Sequence, residues 1–163
     1  MLVAIMDYES LIHEYEIGGN KLRNAIQGLT LEDMLAYPVP GTWSIIEIVI
    51  HLMDADLIAT DRMKRIIAMD EPAIPAWHES AFIAKLFPAE QSPEDAVTIF
   101  DLNRKMFAKV LRKLPPEAFE RKGIHSERGP VSMGGQLKLY VWHLNHHLKF
   151  IIDKREKLGK LMW

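Results

Sequence analysis

Four segments of this chain carry apolar residues at the three- and four-residue spacing of an amphipathic helix, and no feature constrains the fold more. Alternation of apolar and polar residues, which would indicate half-buried strands, does not stand out. The predicted helices span Tyr8–Gln27, a segment capped by Thr42 or Ser44 that runs to about Met69, a segment from Ser92 to just before Pro115, and Met133–Lys157. Long amphipathic helices of this kind pack most simply as an all-α four-helix bundle.

Residues that favour helix starts support these assignments. Ser44 precedes Glu47 by three residues, the spacing of a capping box in which each side chain binds the other residue's backbone N–H. Ser92 precedes Pro93 and two acids, which suit the first turn of a helix. The first helix is less regular, because Gly18–Gly19 weakens its middle.

The second and third helices are joined by a long proline-bounded connection, for which we predict one short helix near Ser80–Leu86. A polar loop, EAFERKGIHSERGPVS, precedes the last helix. The chain of 163 residues is long enough for one domain with a sizeable core. We therefore predict a single four-helix-bundle domain over residues 1–163. Because the middle connection is long, the sequence does not decide whether the helices follow simple up-down-up-down winding.

The composition limits the function classes. No cysteine is present, which excludes disulfides, thiolate ligands and a cysteine nucleophile. A formal net charge of -2 gives no broad basic surface for nucleic acid. The longest apolar run, Ile45–Met53, is interrupted by charge and is too short to span a membrane, and the N-terminus does not resemble a signal peptide. We expect a cytoplasmic protein with neither a nucleic-acid nor a membrane partner.

Three of the seven histidines lie close together in the stretch YVWHLNHHLKF of the last predicted helix. Residues four apart share a helix face and neighbours do not, so His143 and His147 project together and His146 points elsewhere. The pair lies beside the apolar stripe formed by Leu137, Leu144, Leu148 and Ile151. We expect His146 to be a surface residue. The pair is either part of a metal site or two half-buried histidines satisfied by hydrogen bonds.

His51 is the best candidate for a third ligand. It interrupts the apolar stretch IIEIVIHLMDAD, where an unpaired buried imidazole would cost free energy. A carboxylate partner or a metal would each satisfy it. Together with His143 and His147 it would form a neutral open site suited to Zn²⁺, Ni²⁺ or Fe²⁺. A metal-bound water or a substrate thiolate would then be the nucleophile.

Other polar residues are weaker candidates. Glu47 and Asp54 lie on the helical side of His51, where either could orient an imidazole or act as a catalytic base. The capping box already accounts for Glu47, and Asp54 could equally face solvent. His78 and His125 lie in predicted loops and are expected at the surface, although either loop could fold over a pocket.

Two stretches resemble the motifs of a known family. Residues 41–63, GTWSIIEIVIHLMDADLIATDRM, resemble the signature W-S-x-x-E-x-x-x-H-L-x-D-A-[DE] of the DinB/YfiT-like superfamily. Residues 129–151, GPVSMGGQLKLYVWHLNHHLKFI, resemble that family's last helix, which carries H-x-x-H-H. The motifs occur in the expected order, and with the helix layout the resemblance covers nearly the whole chain.

The resemblance implies a four-helix bundle with a long crossover, often wound up-down-down-up. It also implies a metal site made by one histidine of the second helix and the first and last histidines of H-x-x-H-H. These positions are His51, His143 and His147 here. One departure is Phe150, which stands where many members have glutamine.

The family includes thiol-dependent transferases and isomerases that use bacillithiol or mycothiol, and members named only as candidate metal-dependent hydrolases. We therefore expect a divalent-metal-dependent enzyme acting on a small molecule, with transfer of a low-molecular-weight thiol ranked before hydrolysis. A non-catalytic helical-bundle binding protein is the alternative. Members often pair, and the hydrophobic content of 48% is generous for one domain, so we expect a homodimer.

Overall fold

Four helical rods make up most of the structure, a computed structural model that describes residues 8–162. The helices are α1 (Tyr8–Glu16), α2 (Gly18–Ile26), α3 (Leu31–Leu35), α4 (Ile45–Ala68), α5 (Glu79–Lys85), α6 (Pro93–Leu111) and α7 (Met133–Lys157). The rods are α4, α6, α7 and the consecutive pair α1 and α2. Within the described residues, no helix is both long and apolar enough to cross a membrane.

The apolar core forms two clusters, which show how the rods run. One cluster joins the beginnings of α4 and α6 to α2 and the later half of α7. The other joins the ends of α4 and α6 to α1 and the beginning of α7. Hence α4 and α6 run parallel to each other, and the α1–α2 rod and α7 run in the opposite direction. The predicted all-α bundle is confirmed, with up-down-down-up winding and a crossover between α4 and α6.

The first rod is two helices rather than the single predicted helix Tyr8–Gln27. The break falls at Ile17, and both glycines after it pack closely against other rods. A Cβ atom on Gly18 would lie 2.5 Å from Arg104 Nη1 and 2.8 Å from Leu144 Cδ2, and one on Gly19 would overlap the Asp101 carboxylate. The glycines therefore allow α2 to approach α6 and α7 closely.

A buried ion pair ties the rods together near the middle of the bundle. Arg104 Nε donates to Asp56 Oδ1 at 2.8 Å, which joins α6 to α4. Its Nη atoms donate to the backbone carbonyls of Tyr15 and Tyr140, and its guanidinium lies 4.4 Å from the ring centres of Tyr15 and Phe100. One side chain thus links α1, α4, α6 and α7.

A small sheet lies where the sequence predicted connections without strands. It contains β1 (Ala73–Ile74), β2 (Lys122–His125) and β3 (Gly129–Ser132), with β2 parallel to β1 and antiparallel to β3. In β2 the buried residues are Gly123 and His125, whereas Ile124 is 40% exposed. This inverts the usual apolar alternation, which is why the pattern did not indicate a strand.

Candidate metal centre

Three imidazoles converge between α4 and α7. His51 Nε2 lies 3.1 Å from His143 Nε2 and 3.2 Å from His147 Nε2. The three candidate ligand atoms all lie within 4.8 Å of one another. His143 and His147 are one turn apart on α7, and the antiparallel packing of α4 against α7 brings His51 opposite them. The structure therefore brings together the three residues that the sequence selected.

Two indole rings hold the imidazoles in place. Trp43, just ahead of α4, lies 5.0 Å from the His51 ring and stacks on His147 at 6.4 Å. Trp77, from the crossover, stacks on His51 at 5.7 Å. The Nδ1 atoms of His51 and His147 are buried and find no hydrogen-bond partner among the described residues. Ring packing, rather than hydrogen bonding at Nδ1, therefore orients these two imidazoles.

Burial keeps the imidazoles in the form that a metal requires. Burial lowers the pKa of His51 to about 3, that of His143 to about 3 and that of His147 to about 4, and neighbouring imidazoles contribute further to each shift. Neutral imidazoles carry the free lone pairs that bind a cation. The alternative of histidines satisfied by hydrogen bonds fits less well, because two Nδ1 atoms are left unpaired.

The spacing of the nitrogens fits a small divalent ion. Tetrahedral zinc, with zinc–nitrogen distances of about 2.0–2.1 Å, holds its nitrogen ligands about 3.3 Å apart. The separations of 3.1 and 3.2 Å around His51 are close to this value. A set of three neutral nitrogens suits Zn²⁺, Ni²⁺ or Fe²⁺ and leaves coordination positions open.

Glu79 is a neighbour of the centre that the sequence did not identify. It is the first residue of α5, and its Oε2 atom lies 3.6 Å from His51 Nε2. Its side chain is 53% exposed, so it can reach solvent as well as the centre. No helical spacing relates Glu79 to the histidines, because the crossover brings it there. A carboxylate at this position can accept a proton or provide a further ligand oxygen.

The two acids named from the sequence have other surroundings. Glu47 forms the capping box with Ser44 as predicted, and it also accepts a hydrogen bond from the Tyr37 hydroxyl at 3.0 Å. These contacts occupy the Glu47 carboxylate at the start of α4. Asp54 is half-buried, its side chain has no hydrogen bond or ion pair within residues 8–162, and burial raises its pKa.

The remaining histidines lie outside the convergent trio. His146 is half-buried rather than fully exposed, since its ring stacks on Trp142 at 4.7 Å and meets the edge of Phe150 at 4.8 Å. His78 is exposed, as expected, at the N-terminus of α5. His125 was expected at the surface, and this prediction is wrong, because the inverted alternation of β2 buries it.

Two clefts of different character reach the centre, each at a different histidine. A polar cleft of about 420 Å³ reaches His143 and is lined by residues that include Arg62, Glu79, His125 and Arg128. An apolar cleft, also of about 420 Å³, reaches His147 and is lined by residues that include Val39, Trp43, Ile48 and Phe150. Phe150, the departure from the family pattern, therefore adds apolar surface beside the centre.

Similar proteins were found by sequence and by structure. The chain is 29% identical over 140 residues to "Putative metal-dependent hydrolase OB0782" of Oceanobacillus iheyensis, covering 86% of this chain and 81% of the relative. It is 28% identical over 149 residues to a Bacillus mycoides protein of the same description, covering 91% and 85%.

The solved structure of YfiT from Bacillus subtilis, described as a probable metal-dependent hydrolase with an unusual four-helix bundle topology, matches with a TM-score of 0.86. It is 24% identical, and the match covers 93% of this chain and 87% of that one. The mycothiol-dependent maleylpyruvate isomerase matches with a TM-score of 0.70 at 10% identity, covering 88% and 60%. These two likenesses concern the fold.

The model of the DinB superfamily matches residues 14–151, a range that contains α4, α7 and all three convergent histidines. This match spans most of the chain and agrees with both the relatives and the bundle topology. The chain belongs to the DinB superfamily.

Proposed function

We propose that this protein is a divalent-metal-dependent enzyme whose metal is held by His51, His143 and His147. The observation that carries the proposal is the convergence of three Nε2 atoms between α4 and α7, with His51 buried and both of its Nε2 separations at ligand spacing. The names of the relatives agree with metal dependence. When bound there, a divalent ion would supply the Lewis acidity that makes a water or a thiol nucleophilic near neutral pH.

Transfer of a low-molecular-weight thiol is the reaction that we propose first. A transfer reaction must hold two molecules at one centre in the correct orientation. The polar cleft at His143 and the apolar cleft at His147 provide two separate approaches of similar volume. The mycothiol dependence of one protein with this fold is consistent with such a use.

The chain's own residues have definable parts in this proposal. Trp43 packs against the rings of His51 and His147, and Trp77 stacks on His51, so the two indoles fix the orientation of these imidazoles. Glu79 is placed to accept the proton of an incoming thiol. Phe150 and Trp43 would hold the apolar part of the acceptor molecule in the cleft at His147.

Hydrolysis is the second candidate; it would use Glu79 in the same way, and the names of the relatives favour it. A carboxylate 3.6 Å from His51 Nε2 is placed to take a proton from a water as readily as from a thiol. The relatives from Oceanobacillus iheyensis and Bacillus mycoides carry hydrolase names.

Metal analysis tests the centre. The protein should be purified without an affinity tag, reconstituted separately with Zn²⁺, Ni²⁺, Fe²⁺ and Mn²⁺, and analysed by mass spectrometry. We expect stoichiometric metal in the wild type and in His146→Ala, and loss of metal in His51→Ala and His147→Ala. His146 is a matched control because it lies beside His147 outside the trio. Low metal after every reconstitution, or unchanged metal in His51→Ala, would refute the proposal.

A substrate screen separates the two reactions. The metal-loaded protein should be incubated with bacillithiol, mycothiol or glutathione and a fluorogenic electrophile, and separately with simple esters. Thiol conjugation that disappears in His147→Ala would support transfer. Ester cleavage without a thiol requirement would support hydrolysis instead. The absence of both activities from protein with full metal content would count against the proposed reactions and leave metal binding unaffected.

A further inference from the structure

Arg62 is a buried guanidinium that has no carboxylate partner in the part of the chain that the structure describes. It is 6% exposed and lies in the later half of α4. Its Nη1 donates to the Tyr140 hydroxyl at 3.2 Å and its Nη2 donates to the Pro75 carbonyl at 2.6 Å, while its Nε has no partner among residues 8–162. Both acceptors are uncharged. The other buried arginine of this region, Arg104, is by contrast neutralised by Asp56. A buried charge without a counter-ion is costly, so an anion from outside the chain would stabilise Arg62.

Further hydrogen-bond donors line the same polar cleft. His125 Nδ1 accepts from the backbone N–H of Glu127 at 3.2 Å, which leaves the proton on Nε2. Burial lowers the pKa of His125, and the positive charges of Arg62 and Arg128 lower it further, so both guanidiniums lie within electrostatic reach of its ring. The Tyr140 hydroxyl accepts from Arg62 and keeps its own proton to donate.

Two carboxylates also line this cleft and limit the charge that it can accept. Glu79 lies beside His51 at the centre, and Glu127 lies near His125, whose pKa it raises against the effect of the arginines. Two guanidiniums therefore face two acids across the cleft. Only Arg62 among the four is buried without a charged partner. This balance favours a ligand with a single negative charge over a doubly charged phosphate.

We propose that the polar cleft binds a carboxylate group of the substrate, held by Arg62 with Arg128, His125 and Tyr140 around it. Guanidinium and carboxylate match in shape as well as charge, because parallel N–H donors face two oxygens. The cleft continues from Arg62 to His143, so a small organic acid anchored there extends toward the imidazoles. That the rest of this acid reacts at the imidazoles rests on the proposed function, whereas the binding of its carboxylate at Arg62 does not.

The probes are butyrate, its uncharged analogue butyramide, and inorganic phosphate. Each should be titrated into both metal-free and zinc-loaded protein and followed by tryptophan fluorescence, because Trp77 and Trp142 line the cleft. We expect saturable binding of butyrate to both forms, and much weaker binding of butyramide. Equal binding of butyrate and butyramide to the metal-free form, or the absence of butyrate binding, would overturn the proposal. Tighter binding of phosphate than of butyrate would overturn the carboxylate assignment.

Three variants locate the site. Arg62→Met should weaken butyrate binding by about tenfold or more, the loss expected for one charge-assisted hydrogen bond. Arg65→Met is the matched control, because Arg65 lies on the same helix, is exposed and pairs with Asp61 outside the cleft. It should bind butyrate like the wild type. Arg128→Gln should weaken binding in the same direction, and it carries the test if Arg62→Met does not fold. Wild-type affinity in the folded Arg62 variant, or failing that in Arg128→Gln, would refute the proposal.

Metal content distinguishes this proposal from the proposed function. Arg62→Met should retain the wild-type metal stoichiometry while losing butyrate affinity. Low metal content in the reconstituted wild type would refute the metal centre alone. Full metal content without discrimination between butyrate and butyramide would refute the carboxylate site alone.

Discussion

His51 joins the two halves of the candidate centre, since it alone of the three convergent histidines comes from α4. Its selection from the sequence depended on chemistry, because an imidazole within an apolar run needs a partner. The selection of His143 and His147 depended on helical spacing. Glu79 could not be predicted by either route, since it reaches the centre through the tertiary path of the crossover.

Acid should destabilise the metal-free protein through its buried imidazoles. Burial lowers the pKa of His51 from 6.5 to about 3, so between these values the unfolded chain binds a proton that the folded chain excludes. His51 therefore contributes to stability above about pH 6.5, and this contribution falls by about 1.4 kcal/mol for each unit below that pH. Urea unfolding of metal-free protein at several pH values measures the loss.

Two histidine variants test this prediction, one at His51 and a matched control at His13. His51→Asn should show a smaller loss of unfolding free energy on acidification than the wild type. His13→Asn, at an exposed position of α1, should behave like the wild type. An identical pH dependence in His51→Asn and wild type would contradict the prediction.

Glu79→Gln should lower turnover without removing the metal. The amide keeps the shape of the side chain but cannot accept a proton, and a positioned general base typically contributes about 10²- to 10⁴-fold to rate. Steady-state kinetics and metal analysis of the same sample make the measurement. Glu94→Gln is the control, because Glu94 is also an exposed acid in the first turn of a helix. Unchanged turnover in Glu79→Gln, or loss of its metal, would show that Glu79 is not a catalytic base.

At the scale of elements, the sequence predicted α4 and α7 to within about a residue because their capping signals and apolar stripes agree. It identified Gly18–Gly19 as a weak point of the first helix but did not predict the break at Ile17, next to the place where Gly18 closely approaches Arg104 and Leu144. It also missed β2, because a buried glycine and a buried histidine alternate with exposed residues there. Both failures occur where packing between distant segments overrides local pattern.

Removal of the Arg104 side chain should lower the free energy of unfolding, because this side chain links all four rods. Arg104→Met leaves the buried Asp56 carboxylate without its partner, a change that typically costs about 3–5 kcal/mol. Arg112→Met is the control, because Arg112 pairs with Glu9 and Glu16 at the surface, where such a change costs about 1 kcal/mol or less. Urea unfolding of both variants and the wild type measures the difference, and equal stability of the two variants would contradict this account.

At the scale of the whole molecule, α6 shows a surface that fits the homodimer expected from the sequence. Its outer side exposes large apolar side chains at helical spacing, namely Ile99, Leu102, Met106 and Val110. An exposed apolar stripe of this kind is a candidate interface, and a two-fold dimer would place the stripe of one copy against that of another. We propose this face for the pairing.

Leu102→Glu should convert a dimer to a monomer by placing a charge within that face. Light scattering coupled to size exclusion, repeated over a range of protein concentrations, measures the mass. Leu31→Glu is the matched control, because Leu31 is 54% exposed, as Leu102 is, but lies on α3. A monomeric wild type would contradict the dimer, and a dimeric Leu102→Glu would contradict the face.

The up-down-down-up winding requires the long crossover, since two parallel neighbours cannot be joined by a short turn. The sequence indicated this length, and the family resemblance supplied the winding. Neither indicated that the crossover would pair with residues near position 124 through β1, because that pairing joins segments some fifty residues apart.

The residues of the centre come from two separate parts of the chain, the long helices and the crossover. The imidazoles belong to the long helices α4 and α7, whereas Trp77 and Glu79 belong to the crossover that packs against His51. Substitutions near residues 75–80 can therefore alter which molecules reach the imidazoles without disturbing the helices that carry them. Over evolutionary time, such a bundle can keep one inherited set of imidazoles while its descendants acquire different chemistries through changes confined to one part of the crossover.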